Sequence, residues 1–300
     1  MTTPQTGNKI IKSKIDFNLI FPEETTLDYD LKEICKDMRC DIVTAIGHVG
    51  VGHIGGCLSI VELLAALYFS EMNIDPANPK MAGRDRFICS KGHAGPAVYA
   101  ALTNRGYFGK ELLLTLNDGG TDLPSHCDMN HTPGIDMTTG SLGQGFSCAV
   151  GAALGSKLDD DGATIYALIG DGESQEGQVW EAGMFASAKK LDNLIAFTDY
   201  NKFQIDGAVA DIIDIAPLAE KWTSFGWNVI ELEDGNDAYA IVDAIRAAKK
   251  NRGSGKPTMI ILNTVKGCGI QWIADLGVGS HSTNVTEAQA EAAIKEIRGN

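Results

Sequence analysis

ALIGDGESQEGQ (residues 167–178) and NLIAFTDYNKFQIDG (residues 193–207) are two apolar runs that each end in a polar turn. Both read as buried strands: four or more apolar residues in a row, then a break at Gly170-Asp171-Gly172 or at Asp199-Tyr200-Asn201. A helix between them completes a strand–helix–strand unit. Outward from this unit the pattern repeats. RFIC (86–89) is a short strand before it, and WNVIEL (227–232) and TMIILNT (258–264) are strands after it. Helical stretches at Ala94–Arg105, Pro217–Phe225 and 237–250 separate them. The alternation predicts an α/β chain built on one doubly wound, mostly parallel sheet with helices on both faces. Ile34, Met38, Ile42 and Ile46 form the stripe of a first helix over 30–49, and IVELLAALYF (60–69) reads as a buried helix. Trp180, Met184, Ala188 and Leu191 are expected to share one face of the helix between the two strands. The polar residues 1–26 read as an arm, and 27–300 as a single domain without a linker or internal repeat.

Composition narrows the function. A net charge of −14 over 300 residues argues against nucleic acid, which needs a basic face. There is no apolar run of membrane-spanning length and no signal-peptide core at the start, so no membrane role and a cytoplasmic location are expected. Seven cysteines without a CxxC pair fit reduced thiols. Cys35 and Cys40 fall in the first helix and read as core. The 34 glycines cluster in short loops, where backbone can approach a ligand.

Two constellations carry chemistry. Gly170-Asp171-Gly172 ends a strand, the position at which open α/β sheets bind ligands. It is neither a dinucleotide fingerprint, since Gln175 stands where a glycine is needed, nor a P-loop. A helix starting near Gly177 would turn its N–H groups toward an anion. Asp171, Asn201 and a backbone carbonyl, that of Phe203, could share a hard divalent cation with a diphosphate, Mg²⁺ or another such as Ca²⁺ or Mn²⁺. Asp171 as a simple helix cap is the plain alternative. Asp199 is the rival ligand, although strand alternation points it elsewhere. The second constellation is histidine: His48, His53, His93, His126, His131 and His281 all fall in predicted loops. Gathered around polar or anionic substrate atoms they could donate, accept and move protons. His126, Cys127 and His131 are the competing zinc reading, at a spacing that fits no compact motif. Glu173 and Glu176 suit the positive end of a helix, and Glu176 beside a diphosphate would need a partner. Lys91 and Lys266 could supply positive charge near the anion, but read first as solvated surface lysines.

Taken in order, these segments resemble the diphosphate-binding amino-terminal half of transketolase, from about Lys32 to His281. Gly52-His53-Ile54-Gly55-Gly56 is similar to the family's Gly-His-Pro-Gly. Ser90-Lys91-Gly92-His93-Ala94 is similar to its Ser-Asn-Gly-His-Ala. Pro124-Ser125-His126, His131-Thr132-Pro133-Gly134 and the run Thr138 to Gly145 follow its remaining loops, and the Gly-Asp-Gly to Asn201 span its thiamine diphosphate signature. The resemblance implies a thiamine-diphosphate-binding fold. It implies Asp171, Asn201 and the Phe203 carbonyl on the metal, and Gly170, Gly172, Asn201, His93 and His281 toward the diphosphate. Gly140 and Leu142 would lie on the aminopyrimidine. His53, His93, His126 and His281 would act on the sugar, with Glu176 in a subunit-interface network. The reaction implied is transfer of a two-carbon ketol unit from a ketose phosphate to an aldose phosphate. Ile54 and Ser141 replace prolines, and Ser282 replaces a glycine. Transketolases are about twice as long, so the resemblance implies a separate carboxy-terminal chain bringing the pyrimidine-binding domain, in a heterotetramer of two of each. The rival readings are other thiamine diphosphate enzymes, of the deoxyxylulose-phosphate synthase or 2-oxo acid dehydrogenase type, and a non-catalytic cofactor-binding subunit.

Overall fold

The computed structural model describes residues 29–299; the arm at 1–26 lies outside them. The strands are β1 (Val51–Gly52), β2 (Arg86–Cys89), β3 (Ile165–Gly170), β4 (Leu194–Tyr200), β5 (Asn228–Leu232), β6 (Thr258–Asn263) and β7 (Thr283–Asn284). The helices are α1 (Leu31–Val49), α2 (Ile54–Leu58), α3 (Val61–Ala66), α4 (Gly95–Arg105), α5 (Gln144–Asp159), α6 (Gly177–Ala188), α7 (Val209–Ile212), α8 (Leu218–Ser224), α9 (Ala238–Lys250), α10 (Gln271–Asp275) and α11 (Glu287–Arg298).

Five strands form one sheet in the order β2-β3-β4-β6-β5, every pair parallel. β1 and β7 make a separate antiparallel pair. Period-two alternation divides the core into two layers. Tyr166 and Leu168, Ile195 and Phe197, and Ile260 and Leu262 pack on one side with α1, α3, α4 and α9. Ile165, Ala167 and Ile169, Leu194 and Ala196, and Met259 and Ile261 pack on the other with α5, α6 and Trp222. Because both faces are covered, β3, β4 and β6 are apolar along most of their length, while the edge strand β5 carries Asn228 and an exposed Glu231. The same alternation sends Asp199 to the α1–α3 side.

Helix ends follow local chemistry. The Asp30 carboxylate accepts from Lys32 N at the start of α1, and Gly50 closes it in a left-handed conformation at φ 90°. Thr286 and Gln289 form a reciprocal capping box on α11. Two expectations are corrected. The buried helix over 60–69 is α3 followed by a wider π turn at Leu67–Glu71. In α6, Met184 and Ala188 face outward, while Val179, Ala182, Gly183 and Ala186 turn in. The cause is aromatic packing: a Cβ on Gly183 would sit 2.7 Å from the Trp222 ring, so the small face of the helix receives the tryptophan. Cys35 and Cys40 are buried along α1. Among the described residues no helix is long and apolar enough to cross a membrane.

Candidate functional site

β3 and β4 run in register to their ends, with Gly170 opposite Asp199, so the turns after them lie side by side. Asp171 N–H donates to the Asp199 carbonyl across that junction at 3.2 Å. The Asp171 carboxylate is 2% exposed and, among the described residues, accepts only from backbone: Gly172 N at 2.7 Å and Lys202 N at 2.5 Å. It forms no ion pair among the described residues, and burial, aided by the charge of Asp199, lifts its pKa to about 7. Nor does it cap α6, whose flanking residue is Glu176 with no side-chain cap bond. Asn201 is held by its own amide: Nδ2 donates to Asp199 at 2.8 Å, and Oδ1 accepts from Phe203 N at 3.1 Å. The turn after Asn201 lies against the Gly-Asp-Gly turn, since a Cβ on Gly172 would be 2.8 Å from Gln204 Cβ.

Asp199, fully buried, is saturated on the opposite side. Its carboxylate accepts from Lys91 Nζ at 2.5 Å, Ser59 Oγ at 2.7 Å, Asn201 Nδ2 and Thr264 Oγ1. Burial works to raise its pKa, but the Lys91 ammonium, with the hydrogen bonds from Thr264 and Ser59, outweighs burial and holds the pKa below the usual range. Lys91 answers in kind: burial opposes its charge, Asp199 outweighs burial, and its pKa rises. Reading Lys91 as solvated was therefore incorrect. It is 2% exposed, and a buried ammonium persists only when paired. Lys266, 4% exposed, is corrected likewise. Its Nζ lies 3.1 Å from the Phe203 carbonyl oxygen, to which it donates, and 3.2 Å from His281 Nδ1. Burial and then Lys91 push it down to about 8.

Lys266 joins the carboxylate turn to the histidines. His53, His93, His126 and His281 converge, with ring centroids 5.3 Å apart for His53–His93, 5.8 Å for His53–His126, 5.4 Å for His53–His281 and 5.1 Å for His93–His281. Each is half-buried, and burial lowers the pKa of all four. His281 reaches about 4 through burial and then Lys266. The cluster is thus a set of neutral imidazoles. Two histidines are not in it. His48 occupies the last turn of α1, not a loop, and His131 is exposed beside Asp128. Cys127 is buried while His131 points to solvent, so the zinc reading has no assembled ligand set, and among the described residues no group of three such side chains does.

The long loop before α5 closes one wall. A Cβ on Gly140 would meet His126 Cδ2 at 3.2 Å, and half-buried Leu142 follows it. Glu176 is exposed beside Gly143, whose Cβ would come within 3.3 Å of its own. Sequence reasoning gave Glu173 only a place at a helix end and missed what it does: it is 2% exposed and bonded to Ser90, Gly143 and Gly170. Its one legible signal was a carboxylate inside a glycine-rich turn, which a helix N-terminus explains equally well.

The profile of the family described as the thiamine diphosphate-binding domain of transketolase matches residues 31–299. One subunit of a 6-deoxy-6-sulfo-D-fructose transketolase from Clostridium sp. strain MSTE9 is 55% identical over 89% of this chain and 96% of its own. One subunit of an apulose-4-phosphate transketolase from Phocaeicola vulgatus is 37% identical over 86% of this chain and 90% of its own. A solved mutant transketolase of Pichia stipitis with xylulose 5-phosphate superposes with a TM-score of 0.83 at 31% identity. It covers 90% of this chain, which spans only 40% of that longer one.

Proposed function

The chain belongs to the transketolase family through its thiamine diphosphate-binding domain, and on that premise we propose that it is the diphosphate-holding subunit of a two-chain transketolase. One observation carries the metal-and-diphosphate part of this reading: a buried carboxylate, Asp171, with no ion-pair partner among the described residues, beside an amide oxygen and a carbonyl. Oxygen donors around an uncompensated buried charge suit a hard divalent cation such as Mg²⁺, which completes its shell with phosphate and water. Asp171, Asn201 and the Phe203 carbonyl would hold it. Gly170 and Gly172 offer the diphosphate backbone without side chains, and Lys266 keeps a positive charge beside His281. His93, Gly140 and Leu142 line the remainder of the cofactor's place.

When bound, thiamine diphosphate supplies the carbanion chemistry that carries a two-carbon ketol fragment from ketose to aldose. The chain's own part is to bind and orient. Neutral His53, His93, His126 and His281 can each donate to, or accept from, a sugar hydroxyl and move a proton at a ring nitrogen. Glu176, exposed beside the Gly140–Gly145 loop, would be free to meet the second chain. Both relatives described above, each matched over nine-tenths or more of its own length, are named as subunits. That supports a second chain bringing the pyrimidine-binding half, in a heterotetramer within the cytoplasm, where seven free thiols are at home. The donor to assay first is 6-deoxy-6-sulfo-D-fructose, because the relative named for it stands at 55% identity against 37% for the apulose-4-phosphate relative.

Calorimetry on this chain mixed with its partner chain tests the proposal. Thiamine diphosphate is expected to bind only with a divalent cation, and the pair to transfer ketol units that neither chain transfers alone. Absence of metal-dependent binding overturns the enzyme reading; pyruvate decarboxylation in place of ketol transfer replaces it with a different thiamine diphosphate enzyme.

A further inference from the structure

Glu173 is a buried carboxylate with three donors and no ion pair among the described residues. Ser90 Oγ and Gly143 N, the latter at 2.8 Å, both donate to Oε1. Gly170 N donates to Oε2 at 3.0 Å. The three donors come from three segments far apart in sequence, and each segment leads into the site. Gly170 adjoins Asp171, Gly143 adjoins Leu142, and Ser90 opens the turn that ends in His93. Ser90 Oγ in turn accepts from Phe146 N at 2.9 Å, so Glu173 and Ser90 together take up N–H groups at the start of α5. Gly143, in a left-handed conformation at φ 82°, has no side chain of its own to cap that helix. The segments are also in direct backbone contact: a Cβ on Gly145 would lie 2.7 Å from Ser90 Cα, and one on Gly92 would lie 2.6 Å from the Thr139 carbonyl carbon.

We propose that Glu173 is the positioning residue of the cofactor cradle, one carboxylate fixing the Ser90–His93 turn, the Gly140–Gly145 loop and the Gly170–Gly172 turn in a single arrangement. This rests on the cofactor reading above. The chemistry requires a carboxylate, because all three partners are donors. An amide in its place would turn an N–H₂ toward N–H or O–H groups and leave at least one buried donor without an acceptor. Its hydrogen bonds all go to segments of this chain, so it acts through the loops it ties.

Glu173→Gln tests this with two readouts on the full chain. Hydrogen–deuterium exchange, followed without cofactor, is expected to accelerate about tenfold or more in peptides spanning 90–94 and 140–146, with β4 and β6 unchanged. Thiamine diphosphate affinity in the presence of Mg²⁺ and the partner chain should weaken by about 10- to 100-fold, with kcat at saturating cofactor far less affected. Glu173→Asp, which keeps the charge, should recover part of both effects. Ser90→Ala removes one donor and should give a smaller change in the same peptides, and it decides the matter if Glu173→Gln does not fold. Unchanged exchange at 140–146 overturns the assignment, as does a uniform rise across the whole sheet with no advantage for aspartate. A wild-type chain that binds no thiamine diphosphate fails the functional reading instead, and the exchange result still decides whether Glu173 organises the loops.

Discussion

Replacing Lys91 by methionine removes a buried charge while keeping an unbranched side chain of similar length. The partner left behind is Asp199, fully buried and facing Lys91 Nζ at 2.5 Å. Removing one member of a buried pair costs about 3–5 kcal/mol, because the remaining charge is stranded. Here Ser59, Asn201 and Thr264 still donate to Asp199, so the lower end, about 3 kcal/mol, is expected. With an m-value of about 3 kcal/mol/M in urea, that is a drop of about 1 M in the unfolding midpoint. The pair's contribution in the wild-type chain should be the same at about pH 6 and about pH 9. In the variant, burial lets Asp199 take up a proton as pH falls, so the loss should be no smaller at about pH 9 than at about pH 6. Asp199 has its folded pKa depressed, so its contribution is complete above the unfolded value and disappears only as pH falls through the lowered one. Lys91 has its folded pKa raised, so its contribution is complete below the unfolded value and disappears only as pH rises through the raised one. The double variant Lys91→Met/Asp199→Asn should regain at least half the loss, since no charge is then stranded. A single-variant loss under about 1 kcal/mol, or a double variant no better than the single, refutes the buried pair.

Other consequences can be measured on the same protein. Asp171 has its folded pKa raised to about 7 by burial and Asp199. The folded chain therefore holds the extra proton, and the contribution of Asp171 alone, read as the difference between wild type and Asp171→Asn without cofactor, should turn less favourable as pH rises from about 4 to about 7. Binding of Mg²⁺ with thiamine diphosphate at about pH 7 should expel roughly half a proton, read by calorimetry in buffers of different ionisation enthalpy; a buffer-independent heat contradicts it. His281, pushed down to about 4 by burial and Lys266, and the lowered His53, His93 and His126 remain neutral where the unfolded chain already takes up protons. Stability should then decline as pH falls below about 6.5, and the four ring signals should titrate below the unfolded value in proton NMR. Titration of all four together near that value would disprove the packed cluster. Gly92→Ala drives a Cβ against the Thr139 backbone at 2.6 Å and should cost about 1–3 kcal/mol by thermal or urea unfolding. Gly151→Ala, on α5 with nothing near its Cβ, should instead stabilise by up to about 1 kcal/mol.

Much of the architecture was legible because it is local. The apolar runs at 165–170 and 194–200 have to be covered on both faces, and that requirement made the sheet readable before its order was known. Strand order was not legible: β6 inserts between β4 and β5, a long-range pairing that no periodicity encodes. The α6 stripe was misread for a related reason. Helical spacing groups Trp180 with Met184, but which face turns inward depends on Trp222, from a different helix.

The sequence by itself determined where chemistry could gather: a carboxylate and an amide at neighbouring strand ends, and histidines beside glycines. Only the tertiary structure decided which charges are buried and what they meet. It brought four of six histidines together and left His48 and His131 outside. It turned Lys91 from an ordinary lysine into the counter-ion of Asp199, and Glu173 from a helix-end acid into the tie between three loops. The physical reason is that periodicity is a property of neighbours along the chain. Desolvation and its compensation belong to neighbours in space, and a lysine or glutamate takes its meaning from whatever the fold sets opposite it.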